Sequence, residues 1–114
     1  MQLRRENVIT LETFHEIDLR VARVVQAEVL PHAKRVFKLV VDLGGERRPV
    51  IADLAQFYEP EEIVGRQVVV IANLPPGIIH GERSHGKLLV AHGPGEVLTF
   101  VVPDRATSNG APVR

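Results

Sequence analysis

The chain has 114 residues, with 14 basic side chains, 14 acidic ones and no cysteine. That length fits one domain able to bury roughly two-thirds of the surface its unfolded form exposes, so a core can form without staples. The cysteine count excludes a disulfide framework and a thiolate metal site and fits a reducing cytoplasm. The zero net charge sets the chain apart from strongly basic nonspecific nucleic-acid binders, and no apolar run approaches the ~20 residues of a membrane span.

The opening MQLRRENVITLE has two arginines without an apolar stretch behind them, so no secretory signal is expected. Thr10 to Ile17 predicts a short helix: Thr10 can cap it, and Leu11, Phe14 and Ile17 fall at three-residue spacing on one face. Asp18 then opens a long strand. Leu19, Val21, Val25, Ala27 and Val29 share its inward face, Arg20, Gln26 and Glu28 the other, and Arg23 breaks the pattern where a bend or an exposed functional position is expected. Leu30 to Arg35 is turn-rich and ends in two adjacent cations, Lys34 and Arg35. Val36 to Leu43 alternates again, with Phe37, Leu39, Val41 and Leu43 inward, and Gly44-Gly45-Glu46 is a hairpin turn. The returning strand, Arg47 to Ala52, contains Pro49, which has no N–H for a ladder and points to an edge position.

Tyr58 to Gly65 predicts a second short helix. Pro60 suits its first turn, Glu61 and Glu62 complement the dipole there, and Gly65 stops it. Arg66 to Asn73 is apolar on both faces through Val68-Val69-Val70-Ile71, which predicts a central strand. Gly81 to Lys87 reads as a polar loop, and Lys87 to His92 and Val97 to Val102 as two more strands joined by Gly93 to Glu96. The tail from Arg105 to Arg114 is polar and turn-rich. Five or six strands with one helix between the third and fourth predict an all-β fold with short helices: a five-stranded Greek-key barrel of the OB type, one domain over residues 1–114.

No catalytic set emerges. His80, His85 and His92 are spaced by five and seven residues, unlike the helical pair of a metalloprotease, so no metal is expected. Ser84 beside His85 lacks the strand-turn-helix context of a nucleophile, and Gly93-Pro94-Gly95 lacks the Lys-Ser/Thr of a phosphate cradle. Acids gather from Asp53 to Glu62, bases from Lys34 to Arg48. The basic constellation is the candidate site: Lys34, Arg35, Arg47, Arg83 and Lys87 to reach phosphates, Ser84 to hydrogen-bond a backbone oxygen, and His85 to stack on a base. Four Phe, one Tyr and no Trp are too few for a broad stacking platform, which favours recognition of a folded RNA by shape and backbone.

The run FHEIDLRVARVVQAEVLPHAKRVFKLVVDLG, continued by YEPEEIVGRQVVVIANLPP and GERSHGKLLVA and closed by VVPD and SNGAPVR, resembles the tRNA-binding domain family. That family comprises stand-alone dimeric tRNA-binding proteins, C-terminal appendages of methionyl-tRNA synthetases, and CsaA-like export chaperones. The resemblance runs from Phe14 to Arg114 and looks like a stand-alone member. It implies an OB-fold homodimer that binds tRNA by shape, with neither catalysis nor cofactor. The alternative it carries is a CsaA-like chaperone for unfolded or export-bound polypeptide. The family's Ser-x-Gly-Met appears here as Ser84-His85-Gly86-Lys87, and Ala52-Asp53 stands where Ser-Gly is usual before the second helix.

Overall fold

The computed structural model describes residues 7–114, so Arg4 and Arg5 of the opening segment lie outside the described residues. The first helix, α1 (Leu11–Phe14), is shorter than the spacing suggests. Thr10 caps it as expected, its Oγ1 accepting the Thr13 amide hydrogen at 3.0 Å. The apolar side chains of this helical segment find little cover: Leu11 is 70% exposed and Ile17 is exposed as well.

The strands β1 (Leu19–Leu30), β2 (Ala33–Asp42), β3 (Arg47–Ala52) and β4 (Gln67–Ile71) form an antiparallel sheet in the order β3-β2-β1-β4, extended by β7 (Lys87–Leu88). Pro49 sits on β3 at the end of this order, as its missing N–H demands. β4 lies between β1 and β7, and its run from Gln67 to Val70 is buried, as two-sided hydrophobicity predicts. The helix α2 (Pro60–Ile63) falls between β3 and β4. Glu59 precedes it, with its amide donating to Glu62 Oε1 at 2.8 Å, and Gly65 ends it at φ +91°.

Two strand expectations need correction. In β1 the ladder with β2 slips between Val24 and Gln26, so Val25 is an extra residue opposite the partner strand. A bulge of this kind moves every later side chain to the other face. Before the bulge the main core is met by Ala22 and Val24, not by Leu19 and Val21; beyond it Ala27, opposite Leu39, packs against that core as the alternation predicts, and Val29 is exposed. The bend comes right after Arg23, whose Nη1 donates to Gly65 O at 2.7 Å. The second correction concerns the Lys34-Arg35 pair, which belongs to β2 itself, the turn being confined to Pro31-His32.

Two elements went unread in the sequence. Gly77–Ile79 (β5) and Glu82–Ser84 (β6) make a hairpin inside the stretch read as a turn and a polar loop. His80 and Gly81 form its two-residue turn, both at positive φ (51° and 76°), the signature of the primed turns that suit strand twist. At the C-terminus, β10 (Pro112–Val113) pairs with Leu19 and Arg20 of β1. Those residues already pair with β4 on one edge, so β10 occupies the other edge where β2 does not reach. β8 (Val90–His92) and β9 (Leu98–Phe100) form a further pair around the Pro94–Glu96 turn.

One large cluster holds these pieces: Phe37, Leu39 and Val41 of β2, Val24 of β1, Val68 and Val70 of β4, and Leu54 and Ile63 from the connection around α2. All are essentially solvent-free, which places the apolar faces of β1, β2 and β4 over the helix connection. No helix among the described residues is long and apolar enough to cross a membrane.

Candidate functional site

The seven residues of the basic constellation separate into different settings. Lys34, Arg35, Arg47, Arg83 and Lys87 are exposed. None of these five forms an ion pair among the described residues. The neighbouring cations behave differently. Lys38 Nζ lies 3.0 Å from Glu82 Oε1, and that contact raises its pKa. Arg48 is held by both oxygens of Glu46 and donates to Ala72 O, tying β3 to the end of β4; the pairing lowers the Glu46 pKa. Arg20 grips Asp18 through Nε and Nη2, and the Asp18 carboxyl is lowered by that hydrogen bond. A cation with a carboxylate at 3 Å has little field left for a ligand, whereas one without keeps its charge available. The two adjacent arginines of β3 therefore divide: Arg47 projects, and Arg48 is structural.

Ser84 is a correction to the site as read from sequence. Its side chain is buried, and its Oγ accepts the Ile51 amide hydrogen at 3.0 Å. The residue faces β3, not solvent. Strand alternation then turns Arg83 to the opposite side of β6, beside its partner Ile78, which is 72% exposed. His85 lies next to β3, its amide donating to Pro49 O at 2.7 Å, and its ring is near enough to Glu46 to act on that carboxyl. It belongs to the Arg47 end of the fold.

Arg35 and Lys87 line adjoining grooves at the other end. One groove, about 230 Å³, is walled by Ile51, Leu54, Ile79, Leu88 and Leu98, with Lys87 and His92 on its lining. The second, about 580 Å³, carries Arg35, Gln56, Phe57, His80 and Glu96. Asp53, His92 and Leu98 line both, so the two are continuous. β3, β7, β8, β9 and the β5-β6 turn all converge there. The carbonyl of His80 lies 2.8 Å from His32 Nε2, which holds the turn in this position, and its own Nε2 stands 3.7 Å from Asp53 Oδ1. Among the described residues, no three His, Asp or Glu side chains gather as a metal site. Sequence reasoning noted His80, His92 and Asp53 but gave none a place in the site; strand periodicity does not reveal which loops meet.

A family model described as "Putative tRNA binding domain" matches residues 19–112. The methionine–tRNA ligases of Thermotoga maritima and Methanoculleus marisnigri are 41% and 44% identical to the chain over 108 and 107 residues. Those alignments take in 95% and 94% of this chain but 17% and 16% of the ligases, so the chain spans about one-sixth of their length. Among solved structures, a MetRS related protein from Pyrococcus horikoshii matches with a TM-score of 0.88 at 27% identity, covering 94% of this chain and 98% of that one. The chaperone CsaA of Bacillus anthracis str. Ames matches at 0.85 and 26% identity, covering 94% and 99%.

Proposed function

Because the chain belongs to the tRNA-binding domain family, matching it over residues 19–112, we propose that it binds folded RNA, tRNA first, by shape and phosphate contacts and without catalysis. The observation that carries this reading is the contrast among the cations. Lys34, Arg35, Arg47, Arg83 and Lys87 are exposed with no ion pair among the described residues, while Arg20, Lys38 and Arg48 are neutralised by carboxylates. On a chain of zero net charge, cations without a carboxylate partner keep their charge available to a phosphate ligand without a basic composition. The scarcity of exposed aromatic rings favours phosphate and sugar contacts over base stacking along a strand.

The binding unit is a homodimer of OB-type domains in the cytoplasm. Leu11 and Ile17 are exposed, and Phe14, Ile17 and Leu19 line a cavity of about 500 Å³ together with Pro112 and Val113 of β10. A second copy would cover the exposed Leu11 and Ile17 and meet His15, Asp18, Arg20 and Arg114, which share the cavity's lining. Pairing would also repeat the five cations that lack an ion pair among the described residues across a larger span, as a tRNA-sized ligand requires.

A second reading is supported by the likeness to the chaperone CsaA: capture of extended polypeptide. Ile78 and Ile79 on the exposed hairpin and the apolar groove beside them suit that ligand. The two readings separate in one experiment. Filter binding of total tRNA and of an unfolded polypeptide is measured from low to high salt. RNA retention that falls steeply with salt, through counterion release, supports the first. Salt-insensitive polypeptide binding with no tRNA retained supports the second.

A further inference from the structure

We infer that the smaller groove is a pocket for one unpaired guanine, with Asp53 reading its Watson–Crick edge. This rests on the RNA-binding reading above and names the base that the site selects.

The pocket's walls are apolar: Ile51, Leu54, Ile79, Leu88 and Leu98. An apolar cavity of roughly 150 Å³ accepts a benzene ring. At about 230 Å³ this one has room for a single heterocycle but not for a base pair. Its polar lining consists of Asp53, Lys87 and His92. The carboxylate is the informative member. A carboxylate repels phosphate, so Asp53 opposes the cations around it for a polyanionic ligand unless it meets something else. An ionised carboxylate only accepts hydrogen bonds. Asp53 is available to do so: its side chain is 69% exposed, and His80 Nε2 at 3.7 Å is beyond hydrogen-bond length.

Among the four bases, guanine presents two N–H donors side by side on one edge, N1–H and the 2-amino group. They match the two oxygens of a carboxylate as a bidentate pair. Cytosine and adenine offer one amino group beside an acceptor, and uracil one imide N–H between two acceptors. Lys87, exposed on the same lining, stands where it can take the phosphate of the inserted nucleotide. Splayed-out bases recognised on this edge are the usual route to sequence preference in RNA.

The test uses fluorescence anisotropy on the whole chain with the pentamers UUGUU, UUAUU and UUIUU, where inosine lacks only the 2-amino donor. The wild-type chain is expected to bind UUGUU about tenfold more tightly than either of the others, within the discrimination a bidentate base contact provides. Asp53→Asn and Asp53→Ala should reduce that ratio to near one by weakening UUGUU, while UUAUU, relieved of the carboxylate's repulsion, binds at least as tightly as to the parent. Asp53 is exposed, so both variants should fold. Equal binding of all three pentamers by the wild type, or a guanine preference that survives both substitutions, overturns the pocket and leaves general RNA binding standing. No binding of the pentamers or of total tRNA at low salt removes the RNA reading, and this proposal with it. Unfolded polypeptide that displaces bound UUGUU, with no guanine preference among the pentamers, gives the pocket to polypeptide and overturns the proposal.

Discussion

The hydroxyl of Ser84 accepts the amide hydrogen of Ile51 at 3.0 Å, across a sequence separation of 33 and inside the core. The hydrogen bond replaces one rung of a β-ladder and pins the β5-β6 hairpin to β3. With Lys38-Glu82 nearby, it gives the hairpin its only polar ties to β2 and β3 among the described side-chain contacts. Ser84→Ala leaves a buried N–H without a partner. Its expected cost is about 1–3 kcal/mol in urea unfolding, with the tRNA salt slope of the folded protein unchanged. An unaltered unfolding midpoint together with weaker tRNA binding would return Ser84 to the RNA contact surface.

Neutralisation by neighbours predicts which cations matter to a phosphate ligand. Replacing Arg83, Lys87 or Arg35 by Ala should each weaken tRNA binding and lower the salt slope by about one. Lys38→Ala, a substitution on β2 like that of Arg35, should leave the slope nearly unchanged because Glu82 already takes that charge. Filter binding at several salt concentrations checks both halves. Equal effects for Lys38 and Arg83 would show that the ion pairs do not select the binding cations.

The C-terminal strand depends on two glycines facing each other. A Cβ on Gly110 would sit 2.3 Å from Leu43 O, and one on Gly44 would sit 2.3 Å from Asn109 O; both residues lie near φ +90°. Gly110→Ala combines a left-handed backbone, about 1–2 kcal/mol for an L-residue, with a clash against a main-chain carbonyl. The expected result is release of β10 from β1, seen as loss of hydrogen-exchange protection at Val21, whose amide donates to Ala111 O. Protection equal to the parent's would mean that the tail accommodates the methyl group by moving as a unit.

Acid sensitivity follows from the Asp18-Arg20 contact. Asp18 is held below the ordinary carboxylate range, chiefly by the hydrogen bond from Arg20. A carboxyl whose folded pKa is depressed stabilises the fold above its unfolded pKa of about 3.9, and that contribution disappears as pH falls through the folded value. Both side chains are more than one-third exposed, so solvent screening limits the effect to below about 1 kcal/mol. Asp18→Asn should therefore lower stability slightly at pH 7 and match the parent near pH 2. A difference that persists at pH 2 would assign the effect to packing.

Periodicity carried the reading of the fold wherever a strand keeps strict alternation. β2 shows Phe37, Leu39 and Val41 inward as spaced, and β4 is buried on both faces as its apolar run predicts. It failed in β1 ahead of the bulge: the extra residue, which carries no local sequence signal, puts Ala22 and Val24 on the core side before it, while Ala27 beyond it packs inward as read. It also missed the hairpin β5-β6. Three-residue strands are too short to display a period, and the primed turn is built on His80-Gly81 instead of the usual Asn-Gly.

Residue types along the chain determined a β-rich fold with one interposed helix, an edge strand marked by Pro49, a central strand at Val68 to Val70, and a set of cations on a neutral chain. These are local properties, set by side-chain period, by proline's missing donor and by charge counts. The tertiary structure alone decided which cations stay free. Lys38 meets Glu82 and Arg48 meets Glu46 and Ala72 only once the strands are in register, while Ser84 turns inward to Ile51. It also decided that Asp53, His80 and His92 share one groove. Contacts between residues tens of positions apart depend on how sheets pair and where a bulge falls, and no local pattern encodes that geometry.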